Sequence, residues 1–466
     1  MLLLSAALLL LHAHLCLAKF PRTYPRPERP AFRTLVAGKP ANGAGDPGYI
    51  KSSLGTQFVN GSTPAARGRN NQSSSIAPRD GREALSEFQA GVVYMMDIDV
   101  GTPRQTITVI VDTGSYELFL NPNCARAADQ TYCAAAGHYY PAESSTAKNL
   151  SSRYYVSFGT GGYVGSYFSD TLWFGDDCET ILSRETASGD FANELRTDWP
   201  VTALQFGVSD DSDYVWAGII GLGYGKRFNT NYPTLLDLLV SQGYINVPIF
   251  SLSVGSQGSG DSEIIVGGVD SHKYIGWLEP LELYPSPETQ EAEWKSAQYW
   301  INMTSFGYTA PGGSAVTMTA AGFSRIMLVD SGSTYSYIDA DLAAALAKQF
   351  NATIDESGVY YVSCSYLDVD GYVHFGFNNG AMVINAKYSD FIVDFGSRCA
   401  LGVQPADAGV NTWVLGATFI RSAYIVFDQL YDAIWLANYQ PCGGSLVTDL
   451  TENAGNQLWT ELYGGC

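Results

Sequence analysis

Asp112 and Asp330 stand in the same short context, "VIVDTGS" over residues 109–115 and "MLVDSGS" over 327–333. Each is an apolar run followed by an aspartate, a hydroxyl residue, a glycine and a serine. Gly114 and Gly332 permit a tight turn or a close backbone approach. The hydroxyls of Thr113 and Ser331 can hold that turn by hydrogen bonding, which keeps the carboxylate at the strand end. A single copy reads as a β-turn with an Asx cap. Two copies change the reading, because each is followed downstream by two bulky apolar residues and a glycine, in "AGIIGLG" (217–223) and "WVLGATF" (413–419). A chain that repeats itself in this way is built of two similar lobes. Pseudo-symmetric lobes bring both turns to their interface. Two carboxylates so close resist double ionisation and share a proton. The ionised one can activate a water while the protonated one donates to the carbonyl oxygen of an amide.

The elements that must position these turns are mostly strands. "VVYMMDIDVG" and "QTITVIVD" alternate as strands on either side of the turn residues Gly101-Thr102-Pro103. "YYVSFGTGGYVGSYFSDTLWFG" (154–175) predicts a hairpin around a glycine-rich turn. Two short helices are expected, over 233–243 and 339–352, the first stopped by Gly243 and the second capped by Asp339. The fold class is therefore mostly β, with two pseudo-symmetric β lobes and short helices.

Composition bounds the rest. The chain has 466 residues, enough for two or three domains, with the apolar content of a protein with a large core. Residues 1–18 have the apolar stretch and small terminal residues of a secretory signal. Residues 19–86, rich in Pro, Gly, Ser and Arg, read as a mostly irregular propeptide. That segment carries a formal charge of +7 and residues 87–466 carry −27, so the first is expected to dock on the second. The acidic body argues against nucleic acid as a partner. No other stretch is long and apolar enough for a membrane helix, and no membrane anchor is expected. Seven cysteines follow the signal, most of them expected to pair in a secreted chain. Sequons at Asn60, Asn71, Asn149, Asn302 and Asn351 suit secretion. With five histidines, two of them in the signal, and no HExxH, no metal is expected.

The ordered set "IDVGTP", "VIVDTGS", the glycine-rich hairpin, "IIGLG", "LVDSGS" and "WVLGATFIRSAYIVFD" resembles the pepsin family of aspartic endopeptidases, and its secreted fungal members more than its digestive ones. The likeness covers about residues 90–440. It implies a bilobal fold, with an N-terminal lobe over 87–255, a C-terminal lobe over 256–441 and a tail over 442–466. The lobes would meet near "IFSLSVG" (249–255). It also implies Asp112 and Asp330 as catalytic residues, Thr113 and Ser331 as the lock between the two loops, Ser115 and Ser333 as outer partners of the carboxylates, and Gly221 and Gly416 as loop supports. Cys124–Cys133 and Cys364–Cys399 match the family's disulfides. Which of Cys178, Cys442 and Cys466 stays unpaired is left open by the sequence; Cys442–Cys466 is favoured because it would tie down the tail. The family picture is a monomer needing no cofactor, acting on polypeptides at acid pH, made as a zymogen with its propeptide as intramolecular inhibitor, and secreted to an extracellular or vacuolar destination. Lys39 or Lys51 would face the dyad in the zymogen, with cleavage around residues 80–90.

Two positions depart from the family pattern. Phe158 precedes Gly159-Thr160-Gly161 where the flap usually has Tyr, and Phe119 stands where Trp is usual. A flap hydrogen bond is thereby lost at both ends at once, which can be nearly neutral. A Phe119–Phe158 contact is expected in its place, and Phe158→Tyr with Phe119→Trp would restore the pair. Two other functions compete. A silent pepsin-like binding protein would have lost an Asp or a motif Gly, and both triplets are intact. A glycosidase using two carboxylates finds nothing in the repeated turns to favour it.

Overall fold

The computed structural model describes residues 50–59, 91–158, 161–173, 200–226, 228–257, 262–287, 298–356, 358–406 and 413–465. The signal segment, most of the expected propeptide, Gly159, Thr160, Cys178 and Cys466 lie outside them.

The first half is an eight-stranded sheet made from β2 (Gly55–Val59), β3 (Gly91–Val100), β4 (Gln105–Asp112), β5 (Leu118–Leu120), β6 (Lys148–Phe158), β7 (Gly161–Trp173), β8 (Pro200–Asp213) and β9 (Gly218–Gly221), in the order β2-β3-β4-β9-β5-β8-β7-β6. Alternation in β4 buries Ile107, Val109 and Val111 and delivers Asp112 at the strand end. The predicted hairpin is β6 and β7, longer at its start than its sequence pattern suggests.

The second half repeats the arrangement. β4 runs parallel to β9, β9 antiparallel to β5, and β5 parallel to β8. Correspondingly, Arg325–Val329 runs parallel to Val414–Leu415, which is antiparallel to Ser336–Ile338, itself parallel to Val403–Pro405. The repeat seen in the motifs is thus a repeat of strand topology.

A third, seven-stranded sheet joins the halves. β10 (Ile249–Ser253) lies between β11 (Glu263–Val266) and Ala423–Asp428, and Phe250 stacks on Phe427 with ring centroids 4.6 Å apart. The other edge of β11 is taken by β1 (Ile50–Ser53). The segment read as irregular from its composition therefore contributes two strands, β1 and β2.

The helices fall at Leu235–Ser241 and Ala340–Gln349. Thr234 and Asp237 close a capping box on the first. Asp339 holds the cap position of the second, but its carboxylate turns instead to a two-pronged bond with Arg325 at 2.9 and 2.6 Å. Beyond residue 441 the tail is packed rather than loose. Val447–Asp449 pairs with Gly268–Asp270, and Leu450, Leu458, Trp459 and Leu462 cluster with Trp435 behind the joining sheet. No described helix is long and apolar enough to cross a membrane.

Candidate active site

β4 and Arg325–Val329 each end beneath a turn, and the two turns meet. Thr113 and Ser331, both fully buried, bind each other's strand in a symmetric lock. The Thr113 hydroxyl donates to the Val329 carbonyl at 2.9 Å and accepts the Ser331 amide at 3.0 Å. The Ser331 hydroxyl donates to the Val111 carbonyl at 2.7 Å and accepts the Thr113 amide at 3.0 Å. All four bonds cross between halves of the chain. The spacing of the turns is therefore set by paired buried hydrogen bonds, which are costly to leave unmade.

Each carboxylate is held in the same way. Asp112 accepts the Gly114 amide at 2.8 Å and the Ser115 hydroxyl at 2.5 Å. Asp330 accepts the Gly332 amide at 2.9 Å and the Ser333 hydroxyl at 2.6 Å. The glycines are required by proximity. A Cβ on Gly114 would sit 2.7 Å from the Asp330 carboxylate, and one on Gly332 would sit 2.7 Å from that of Asp112. Gly221 and Gly416 lie just as tightly against the two turns, the first on the Tyr116 and Glu117 amides and the second on the Ser333 and Tyr335 carbonyls. The Asp112 and Asp330 carboxyls crowd the same two glycines, each Oδ1 within 3.2 Å of where either glycine's Cβ would sit. Burial, then the Asp330 charge, push the Asp112 carboxyl up to about 8. The Ser115 and Gly114 bonds pull the other way.

The β6–β7 hairpin lies near Asp112, whose charge acts on Tyr163 in the returning strand. Phe158, the last described residue before its tip, meets Phe119 edge-on at 6.1 Å. Phe119 in turn stacks on Tyr163 at 5.8 Å and touches Tyr154 at 5.1 Å. The Tyr163 hydroxyl donates to the Ala217 carbonyl. The hairpin is thus tied down by a hydrogen bond from its returning strand as well as by ring packing. Gly159 and Thr160 lie outside the described residues.

Sequence reasoning missed three contributors besides Tyr163. The Gln298 amide donates to the Gly114 carbonyl at 2.5 Å from the other half of the chain. Thr334 exchanges hydrogen bonds with the Val92 backbone at 2.7 and 3.0 Å. The half-buried Glu117 accepts the Tyr167 hydroxyl at 2.8 Å and also that of Tyr232, and burial raises its carboxyl above the usual range. Partners so far apart in the chain leave no local pattern, though Thr334 adjoins a motif already singled out.

Cys124–Cys133 and Cys364–Cys399 are disulfides, the first tying a short helix below β5 and the second bridging the far end of the second half. Cys442 is also disulfide-bonded.

A family model for eukaryotic aspartyl proteases matches residues 93–439, spanning both turns and the central strands of the joining sheet. The chain belongs to the eukaryotic aspartyl protease family. The protease is 28% identical over 368 residues to a probable aspartic-type endopeptidase, opsB, of Aspergillus fumigatus, covering 75% of this chain and 69% of that one. It is 29% identical over 381 residues to secreted aspartic protease 1 of Candida albicans, covering 77% and 84%. Among solved structures, the aspartic proteinase from Irpex lacteus superposes with a TM-score of 0.55 at 20% identity, over 76% of this chain and 96% of that chain. The protease is an aspartic-type endopeptidase by family, its fold is the pepsin-like one, and none of these likenesses favours a catalytically silent binding protein.

Proposed function

We propose that the chain is a secreted endopeptidase that hydrolyses peptide bonds at acid pH through Asp112 and Asp330, and that it is made as a zymogen. The observation that carries this reading is the symmetric lock: two buried turns present two carboxyls to each other, each with one hydroxyl and one amide donor. Across the acid range the pair holds one proton. The ionised carboxylate takes a proton from water as the water oxygen attacks the amide carbon. The protonated carboxyl gives its proton to the carbonyl oxygen. Collapse of the tetrahedral intermediate breaks the C–N bond, with a proton delivered to the leaving nitrogen, and the pair returns to one proton. No covalent intermediate forms and no cofactor takes part. The β6–β7 hairpin closes over the peptide and excludes water.

Secretion is supported by residues 1–18, the disulfides and the secreted Candida relative. The zymogen reading rests on the basic segment against the acidic body, an attraction that weakens as acid protonates the body. No Lys-Arg pair precedes residues 80–90, which favours self-cleavage.

The test is cleavage of an unstructured protein at acid pH, with and without pepstatin, by wild type, Asp112→Asn and Asp330→Asn. Each variant should lose activity by roughly 10²–10⁴-fold or more while keeping the wild-type circular dichroism spectrum. Near wild-type turnover by either would refute the dyad.

A further inference from the structure

Two open strand edges of the catalytic body are filled by residues that precede it. β11 is buried at every position, Glu263 through Val266, and is paired on one side with β10. Its other side is covered by β1 in unbroken antiparallel register, Ile50 against Val266 to Ser53 against Glu263. Without β1, β11 is an apolar edge of the sheet that joins the halves, the kind of edge proteins avoid exposing. The chain then turns inward. Leu54 is 5% exposed within the main core, and its amide donates to the Ser262 carbonyl at 2.8 Å. β2 continues along β3, from Gly55 against Met95 to Val59 against Gly91.

We infer that residues 50–59 belong to the working body, and that this pair of edges is their docking surface after the zymogen is processed. Three observations support it. First, Val59 and Gly91 are direct partners, so the connection 60–90 leaves and re-enters the sheet at one register position. A cut anywhere within that connection moves neither strand. Second, charge is partitioned. Lys51 is the only charged residue in 50–59, and the other ten basic residues of 19–86 lie outside it. Acid loosens charged flanks, whereas backbone pairing and the burial of Leu54 do not depend on it. Third, the match to the family model begins at residue 93, so that model does not cover this segment. Processing at 80–90 would then leave two chains rather than one. No cysteine lies between Leu17 and Asn123, so no disulfide would hold them together.

The inference rests on the zymogen reading only for the existence of a cut, and its first test needs no catalysis. In Asp112→Asn, recognition sites for a site-specific protease are placed near residues 45 and 75. The cleaved protein is run on a sizing column in about 0.5 M salt, which screens the basic flanks. The fragment carrying 50–59 should co-elute one to one with the body and separate from it in non-reducing denaturant. Loss of the fragment from a body that stays folded with unchanged Tm would overturn the inference. In the second arm, active wild-type material is analysed by N-terminal sequencing and intact mass. Residues 50–59 should be present, as a light chain or as the start of a single chain. Active enzyme whose only N terminus lies after Val59 would equally overturn it. A chain that fails to cleave peptides, yet retains the fragment in the first arm, would refute the proposed function and leave this inference standing.

Discussion

Ser115 acts on the ionisation of Asp112. Its hydroxyl donates to the outer oxygen, Oδ2, and that bond favours the charged form. Removing it therefore raises the proton affinity of the pair. Activity is lost on the alkaline side when the shared proton leaves, so Ser115→Ala should move the alkaline limb of kcat/KM upward, by about one to two pH units for a bond to a charged group of roughly 1.5–3 kcal/mol. The acid limb should move the same way. A pH–rate profile on one peptide decides it, and an unmoved or downward alkaline limb would mean that the hydroxyl does not favour the charged form of the pair. The serines were legible because they stand in the repeated motif. Gln298 was not, because its acceptor is a carbonyl on the other half of the chain.

At the scale of elements, the β6–β7 hairpin is held by more than the expected Phe119–Phe158 contact. Phe119 and Phe158 do meet, but Phe119 is also enclosed by Tyr154, Tyr163 and Gly207, where an added Cβ would lie 2.7 Å from the Phe119 ring. An indole there would have to displace these neighbours. Phe119→Trp, alone or with Phe158→Tyr, should therefore destabilise by about 1–3 kcal/mol through overpacking rather than restore a hydrogen-bonded pair. Tyr163 supplies the polar tie instead. Tyr163→Phe leaves the buried Ala217 carbonyl without its donor, a loss of about 1–3 kcal/mol. If that loss falls on hairpin closure, kcat/KM should drop roughly 5–150-fold with little change in global Tm. Tyr163→Phe and Phe158→Ala should be non-additive, since both act on one contact cluster. Additive effects would mean that the two residues do not share the hinge of this hairpin.

For the whole molecule, the buried carboxyls make stability a function of pH. Burial is the leading cause at both Asp112, pushed up to about 8, and Asp428, pushed up to about 6. Both have folded values above their unfolded ones. Their contribution is fully present below about pH 4 and is lost as pH rises through 6 and then 8. Repulsion within a body of charge −27 acts in the same direction. Tm should therefore fall steadily between pH 5 and 8.5. Asp112→Asn removes the upper part of that fall: it should exceed wild type by roughly 2–5 °C at pH 8.5 and match it near pH 4. Scanning fluorimetry across that range is the measurement. A flat wild-type curve would mean that these groups are ionised in the folded protein without cost.

What the sequence alone determined was whatever is written locally and twice. The Asp-hydroxyl-Gly-Ser turns, the strands that end in them and the apolar loops beneath them were legible because alternation and glycine placement are short-range, and because duplication implied two lobes facing each other. The bounds of β4 followed residue by residue from "QTITVIVD". Tertiary structure alone decided the pairings between distant, individually unremarkable segments. Residues 50–59 carry little charge and no motif, and they become strands because β11 and β3 offer apolar edges with unpaired amides and carbonyls. Asp339 leaves its cap for Arg325 because a two-pronged charged bond is stronger than a cap to a backbone amide. The tail folds because Trp435 and its neighbours leave an apolar face behind the joining sheet that Leu450, Leu458 and Trp459 can cover. In each case the deciding partner is remote in sequence, and a local pattern carries no record of it.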